Sequence, residues 1–235
     1  PAPPALSEAA KAKLSELDIV IYQYKICPFC NKIKALLDYY GVDYHVIEVN
    51  PLTKAQTKAV TDYKKVPVAN IGGEIVTDSP QIVRVLKAKM AEADDVDFAG
   101  FFSEAAEEWT EFADKKLAVL LFPNITRNWN ESYQAFSYVN DVPTFSSMDK
   151  MSNLAIGSTA MWLAQGKLKK KYGIEDERDA LFSAVTKFEE ALGDNAFLGG
   201  ANPNMGDIAV FGVIRAIEGM DAFNDLQSET KIGPW

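Results

Sequence analysis

A chain of 235 residues, 48% apolar and 24% charged, can bury one large core or two modest ones. Its net charge of −9 is unevenly shared, +3 over residues 1–91 and −12 over residues 92–235, and without a strong basic stripe it excludes a dedicated nucleic-acid binder. No apolar run approaches the roughly 18 residues of a membrane span, so a membrane is met at most peripherally, and two cysteines three apart form no disulfide framework of a secreted chain.

Residues 1–16 open on proline and alanine and turn weakly helical, as an N-terminal arm. The chain starts at Pro1 without a methionine, so an upstream segment (a targeting peptide, an anchor or a shifted start) is expected to have been removed or omitted. An intracellular location is expected, soluble or peripheral, and an organelle is compatible with it. Asp18–Tyr24 reads as a strand ending at the cysteines. After Pro28, apolar residues at Phe29, Ile33, Leu36, Leu37 and Tyr40 keep helical spacing up to Gly41. Tyr44–Val49 alternates as a strand and Pro51–Tyr63 reads as a polar helix. Val66–Ile71 and Glu74–Thr77 are strands joined by a tight Gly72–Gly73 turn. Asp78–Met90 restores helical spacing through Ile82, Val83, Leu86 and Met90.

The order βαβαββα over residues 17–91 is that of a thioredoxin-like α/β domain. A helical crossover makes the first two strands parallel, and the hairpin makes the last two antiparallel. The acidic, nearly aperiodic stretch 92–100 reads as a linker and 101–235 as an all-helical domain. Its stripes, including Trp109, Phe112 and Leu117, then Met151, Met161 and Trp162, then Leu181, Val185 and Phe188, read as core. Residues 128–147 read as a long excursion, and Lys167–Lys171 as a solvated helix end. Asn204 caps the last long helix, with Asp207 returning the bond.

A thiolate, not a thiol, attacks disulfides and peroxides, so a working cysteine needs a lowered pKa. With Pro28 at the first helical position, Cys27 is placed at a helix N-terminus, among free N–H groups and the positive dipole end. Lys25 and Lys32 are expected to add to this. Cys30, one turn in, suits the resolving role. The competing readings are two ordinary buried cysteines, or half a zinc site with His45 that a second subunit would have to complete. His45, in an alternating strand, fits better as a sheet-surface residue. In a thioredoxin-like domain the proline at this place is cis and sits opposite the cysteine turn, so Val66–Pro67 is expected to be cis and to expose the preceding backbone there, the alternative being a trans edge proline. Asp78–Ser79 opens a helix where N–H groups and a hydroxyl suit a carboxylate, the alternative being simple capping.

Tyr22-Gln-Tyr-Lys-Ile-Cys-Pro-Phe-Cys30, Tyr63-Lys-Lys-Val-Pro67 and Asp78–Ser79 resemble the glutaredoxin-like half of a glutathione S-transferase. With Glu48-Val-Asn-Pro51, Phe197-Leu-Gly-Gly200, Asp207-Ile-Ala-Val210, Glu218-Gly-Met-Asp-Ala-Phe223 and Pro234–Trp235, the chain resembles the membrane-associated prostaglandin E synthase type 2 family. The likeness covers most of residues 18–235 and is weakest at 92–108, where the family carries an inserted segment. It implies an α/β thioredoxin-like domain followed by an all-α GST C-terminal-like domain. It also implies a glutathione-dependent isomerase, thiol–disulfide oxidoreductase or transferase acting on a small hydrophobic or disulfide substrate. Carried over by position, Cys27 is the catalytic thiol, Cys30 its partner, and Tyr24 hydrogen-bonds the sulfur. Val66 and Pro67 line the glutathione backbone, and Asp78 and Ser79 hold its γ-glutamyl end. Glutathione is the implied cofactor, haem an associated one in the same pocket, and no metal site is implied. A general glutaredoxin or transferase, a non-catalytic GST-like subunit docking in a larger assembly, a homodimer, and a dimer bridging an iron–sulfur cluster through Cys27 and glutathione stay open beside it.

Overall fold

A computed structural model describes residues 5–235, so the proline-rich start at residues 1–4 lies outside the described residues. The remainder of the arm is helix α1 (Glu8–Ser15), capped by Ser7, and its Leu6, Ala10 and Leu14 face is buried against the core. Four strands follow: β1 (Val20–Gln23), β2 (His45–Glu48), β3 (Val68–Ile71) and β4 (Glu74–Thr77), in the sheet order β2-β1-β3-β4. Helix α2 (Pro28–Tyr40) is the crossover that leaves β1 and β2 parallel, with Val20 opposite His45 and Gln23 opposite Glu48. Gly72 and Gly73, both at positive φ, turn β3 back antiparallel into β4. Helix α4 (Ser79–Ala93) then packs on α1, α2 and the sheet. This is the thioredoxin-like arrangement that the element order implies.

Between β2 and β3 the structure corrects the expectation. Only α3 (Ala55–Lys58) is helical, because the Asn50 side chain accepts the N–H groups of Leu52 and Thr53 and holds the start of the segment in a turn. The acidic stretch after α4 is anchored rather than loose. Phe98 is buried and meets Tyr40 edge-on, with ring centroids 5.7 Å apart.

The second half is helical: α5 (Glu104–Phe112), a π turn (Ala113–Leu117), α6 (Ala118–Asn124), α7 (Trp129–Phe136), a 3-10 turn (Ser137–Asp141), α8 (Ser147–Ser152), a second π turn (Asn153–Gly157), α9 (Ser158–Tyr172), α10 (Glu177–Leu192), α11 (Met205–Arg215) and α12 (Asp221–Glu229). Residues 128–147, expected as an excursion, are largely helical, since Asn128 accepts the Glu131 N–H at 3.0 Å and starts α7. The apolar stripe at 151–168 is not core. Met151 is 62% and Trp162 38% exposed, and α9 buries only Ser158, because an apolar periodicity marks an amphipathic face without saying what covers it. The cap on α11 forms as expected: Asn204 Oδ1 accepts from Gly206 and Asp207, and Asp207 Oδ2 accepts the Asn204 N–H at 2.9 Å. Helix α11 crosses α2 at Gly212, where a Cβ would meet the Lys32 Cα at 2.6 Å. One continuous apolar core therefore joins both halves, through residues such as Leu36, Leu86, Phe188 and Val213. Among the described residues no helix is long and apolar enough to cross a membrane.

Candidate functional site

Cys27 is the N-cap of α2 and keeps extended backbone angles while Pro28 opens the helix. That leaves the Cys30 thiol and the amides of Cys30 and Phe29 close enough to act on its sulfur, although the side chain makes no capping hydrogen bond. These donors and the positive charge of Lys34 hold the Cys27 pKa below the ordinary thiol value, against an opposing effect of burial. Cys30, wholly buried, is pushed well above that value, by burial first and then by its donation to Cys27 and by that thiol's charge. The cation that reaches both sulfurs is thus Lys34, not Lys25 or Lys32. Lys32 is committed to Asp114, 2.6 Å away. Tyr24 closes the turn by accepting the Cys27 N–H on its carbonyl, at 2.9 Å. Burial, and then the charges of Cys27, Cys30 and Glu48, push its phenol up to about 12, so it stays protonated and able to donate.

The Val66–Pro67 bond is cis. The main-chain N–H and C=O of Val66 carry no hydrogen bond within the described residues. Asp78 caps α4 at φ 70°, where a non-glycine residue is strained, and its Oδ1 accepts the Ser79 N–H at 3.1 Å. Ser79 is buried just inside the helix.

Tyr24, Cys27, Val66, Pro67, Asp78 and Ser79 all line one open cavity of about 530 Å³. Cys30 does not line it and lies behind, in the core. The structure adds Lys54, Lys64 and Lys65 to the same cavity, and none has a carboxylate partner among the described residues. It also adds Asp114 from the π turn after α5, which brings the helical half to the groove. Lys64 and Lys65 were legible within Tyr63-Lys-Lys-Val-Pro67 but carried no spacing signal, and Lys54 was not singled out. Asp114 had none at all, because a π turn shifts the register of the side chains that follow it. His45 sits at the opposite end of β1 from the cysteines, largely exposed and 3.7 Å from Asp18. Among the described residues no cluster of three or more potential metal ligands forms.

Comparison with known proteins agrees with this build. The Glutaredoxin family profile matches residues 19–76, and that of the glutathione S-transferase C-terminal domain matches residues 171–226. The chain is similar to Prostaglandin E synthase 2 of Danio rerio, 32% identical over 264 aligned positions that cover 94% of this chain and 70% of that protein. It is similar to the Mus musculus protein of the same name, at 31% identity, covering 97% of this chain and 71% of that one. Among solved structures, glutathione transferase F2 of Populus trichocarpa superposes with a TM-score of 0.57 at 16% identity, covering 92% of this chain and 90% of that one. Beta-etherase LigF of Sphingobium sp. strain SYK-6 superposes with a TM-score of 0.59 at 13% identity, covering 91% and 100%. At such identities the structural likeness establishes the fold, a thioredoxin-like half followed by a helical half of the glutathione S-transferase type.

Proposed function

This chain belongs to the prostaglandin E synthase 2 family, and we propose that it is a glutathione-dependent thiol enzyme in which Cys27 is the reactive sulfur. The observation that carries this reading is the thiol at the N-terminus of α2, with a depressed pKa, facing a cis-proline groove in which the Val66 main chain makes no hydrogen bond among the described residues. Glutathione fits the chemistry of that groove along its length. Its cysteinyl main chain pairs with Val66, and its γ-glutamyl ammonium is held by Asp78. The neighbouring carboxylate meets Ser79 and the start of α4, and its glycyl carboxylate meets Lys54, Lys64 and Lys65.

In a thiol–disulfide reaction, Cys27 thiolate attacks one sulfur, the S–S bond breaks, and the departing thiolate takes a proton. The resulting mixed disulfide is opened by glutathione or by Cys30, whose raised pKa keeps it a thiol until a proton is removed. In the reaction named by the relatives, a thiolate attacks one oxygen of an endoperoxide and the O–O bond breaks. The other oxygen then takes a proton from a donor. A base (that donor's conjugate base serves) removes the hydrogen on the carbon bearing the S–O group as a proton, the C–H electrons form the C=O bond, and the S–O bond breaks to release the thiolate and leave a hydroxy-ketone. Tyr24, protonated and beside the sulfur, suits the donor's part. The thiol-enzyme reading is the broader conclusion, and the isomerisation is its specific case.

Iodoacetamide labelling across pH tests the thiol. Because the Cys27 pKa is depressed and that of Cys30 raised, Cys27 should label first, with half-reaction below 9.0, and Cys30 last. Equal labelling of both cysteines near the free-thiol value would defeat the assignment. For the groove, Asp78→Asn keeps the strained backbone and the cap's shape but removes the charge that meets an ammonium. It should weaken glutathione binding roughly tenfold by calorimetry, at the lower end of the range for a charge-assisted bond because Asp78 is exposed. Unchanged affinity would remove Asp78 from the site.

Haem suits the same groove only with an added thiol. Phe29, Pro80 and Tyr24 offer apolar walls and the lysines match propionates, but the sole histidine opens β2, beside the end of β1 remote from the cysteines. Its spectrum should then fade on glutathione depletion and weaken in Asp78→Asn. A spectrum indifferent to glutathione, yet lost in His45→Ala, would point elsewhere.

A further inference from the structure

A polar cluster lies behind the cysteine turn, and neither Glu48 nor Tyr138, its two main members, lines the groove. Glu48 ends β2. Its Oε1 accepts the main-chain N–H of Lys25 at 2.7 Å, and its Oε2 accepts Gln23 Nε2 at 3.0 Å. The hydroxyl of Tyr138, from the 3-10 turn of the helical half, comes close enough to the same carboxylate to act on its pKa. Tyr138 is 6% exposed and packs with Val139, Val142 and Phe145, and Ile26 of the cysteine turn lies against this small cluster. Lys25 and Ile26, the two residues immediately before Cys27, are therefore held from two sides. Glu48 grips the main chain, and the Tyr138 cluster grips the side chain.

Electrostatics makes the arrangement informative. The charged and titratable groups around Glu48 are Lys34 on α2, Tyr24 in the turn and Tyr138, and Tyr138 in turn lies within the field of Cys27. Burial pushes the Glu48 carboxyl up, and its hydrogen bonds and Lys34 work against that. Any negative charge that Glu48 carries on this side of the turn opposes ionisation of Cys27 rather than favouring it. Activating the sulfur by charge is thus the one thing Glu48 cannot do, and its two hydrogen bonds, from Lys25 and Gln23, serve geometry. Amides at a helix start stabilise a thiolate only when the sulfur sits within hydrogen-bonding reach of them. A displacement of about 1 Å is enough to lose much of the effect.

We propose that Glu48 and Tyr138 are a pair of positioning residues, through which the helical half fixes the Lys25–Ile26 segment and so seats the Cys27 sulfur against the first amides of α2. The inference rests on Cys27 being the working thiol.

The test is a double-variant cycle with Glu48→Ala and Tyr138→Phe, read by iodoacetamide titration of Cys27 and by glutathione-dependent reduction of hydroxyethyl disulfide. Removing a negative charge alone would lower the Cys27 midpoint. Loss of positioning instead raises it, and a rise of roughly half a unit or more is expected in Glu48→Ala, with a smaller rise in Tyr138→Phe. The kcat should fall about tenfold in Glu48→Ala, with the KM for glutathione within about twofold. The double variant should lose no more than Glu48→Ala alone, since the two residues act in series. Tyr138→Phe keeps the ring and its packing, so it carries the test if Glu48→Ala does not fold. A lowered midpoint, independent additive losses, or a native profile in both variants would overturn the pairing. Should Cys27 of the native protein titrate like a free thiol, the thiol reading itself would fall instead.

Discussion

Cys27→Ser is expected to abolish glutathione-dependent disulfide turnover, whereas Cys30→Ser keeps much of it. Serine at the start of α2 would meet the same amides of Phe29 and Cys30, but a hydroxyl does not ionise near neutral pH under that degree of stabilisation. The loss should reach about a thousandfold or more, to the level of the uncatalysed exchange. Cys30 contributes differently. Buried and with its pKa raised, it is a poor attacking group, and its main service to Cys27 is one donated hydrogen bond. Serine at position 30 can still donate to the thiolate, and a second glutathione can open the mixed disulfide, so turnover should fall by about tenfold or less. Mass spectrometry of Cys30→Ser after exposure to glutathione disulfide should find glutathione on Cys27. Activity surviving in Cys27→Ser, or adduct formation at Cys30 in the native protein, would move the chemistry off Cys27.

What was legible in the sequence was whatever local chemistry enforces. Pro28 and Gly41 bracket α2, the paired glycines make the β3–β4 hairpin, and Asn204 with Asp207 makes the α11 cap. Each is set by residues at or near the feature itself, whereas the cis Val66–Pro67 bond was expected from the thioredoxin-like order of the elements. The groove residues were reachable too, since Tyr24, Cys27, Val66, Pro67, Asp78 and Ser79 sit in one cavity. The illegible part was long-range polar pairing. Nothing near Glu48 in sequence announces Tyr138, ninety positions on, and nothing near Lys32 announces Asp114. The polar helix expected at Pro51–Tyr63 failed for a related reason, because one side chain, Asn50, satisfies the backbone locally and competes with helix. Apolar periodicity misled once, at Met151–Leu168, where the stripe is real and its cover is missing among the described residues.

Lys32 shows what such a hidden pair is worth. It occupies a position within the apolar stripe of α2, it is 0% exposed, and its ammonium lies 2.6 and 2.7 Å from the two oxygens of Asp114, whose side chain is 17% exposed. Helix α11 presses on the Lys32 backbone at Gly212 and holds that turn of α2 in place. Asp114→Leu would strand that ammonium, and breaking a buried pair from one side costs about 3–5 kcal/mol. For a chain of this size the thermal midpoint should drop by on the order of 10 °C. Lys32→Met combined with Asp114→Leu removes both charges and fills similar volumes, so its midpoint should return close to native. The pair's retention would then have its explanation at the groove, where Asp114 faces Asp78. In that case the double variant, though as stable as native, should bind glutathione more weakly. A single Asp114→Leu variant melting with the native protein would mean that Lys32 finds water or another partner, and the buried-pair account would be wrong.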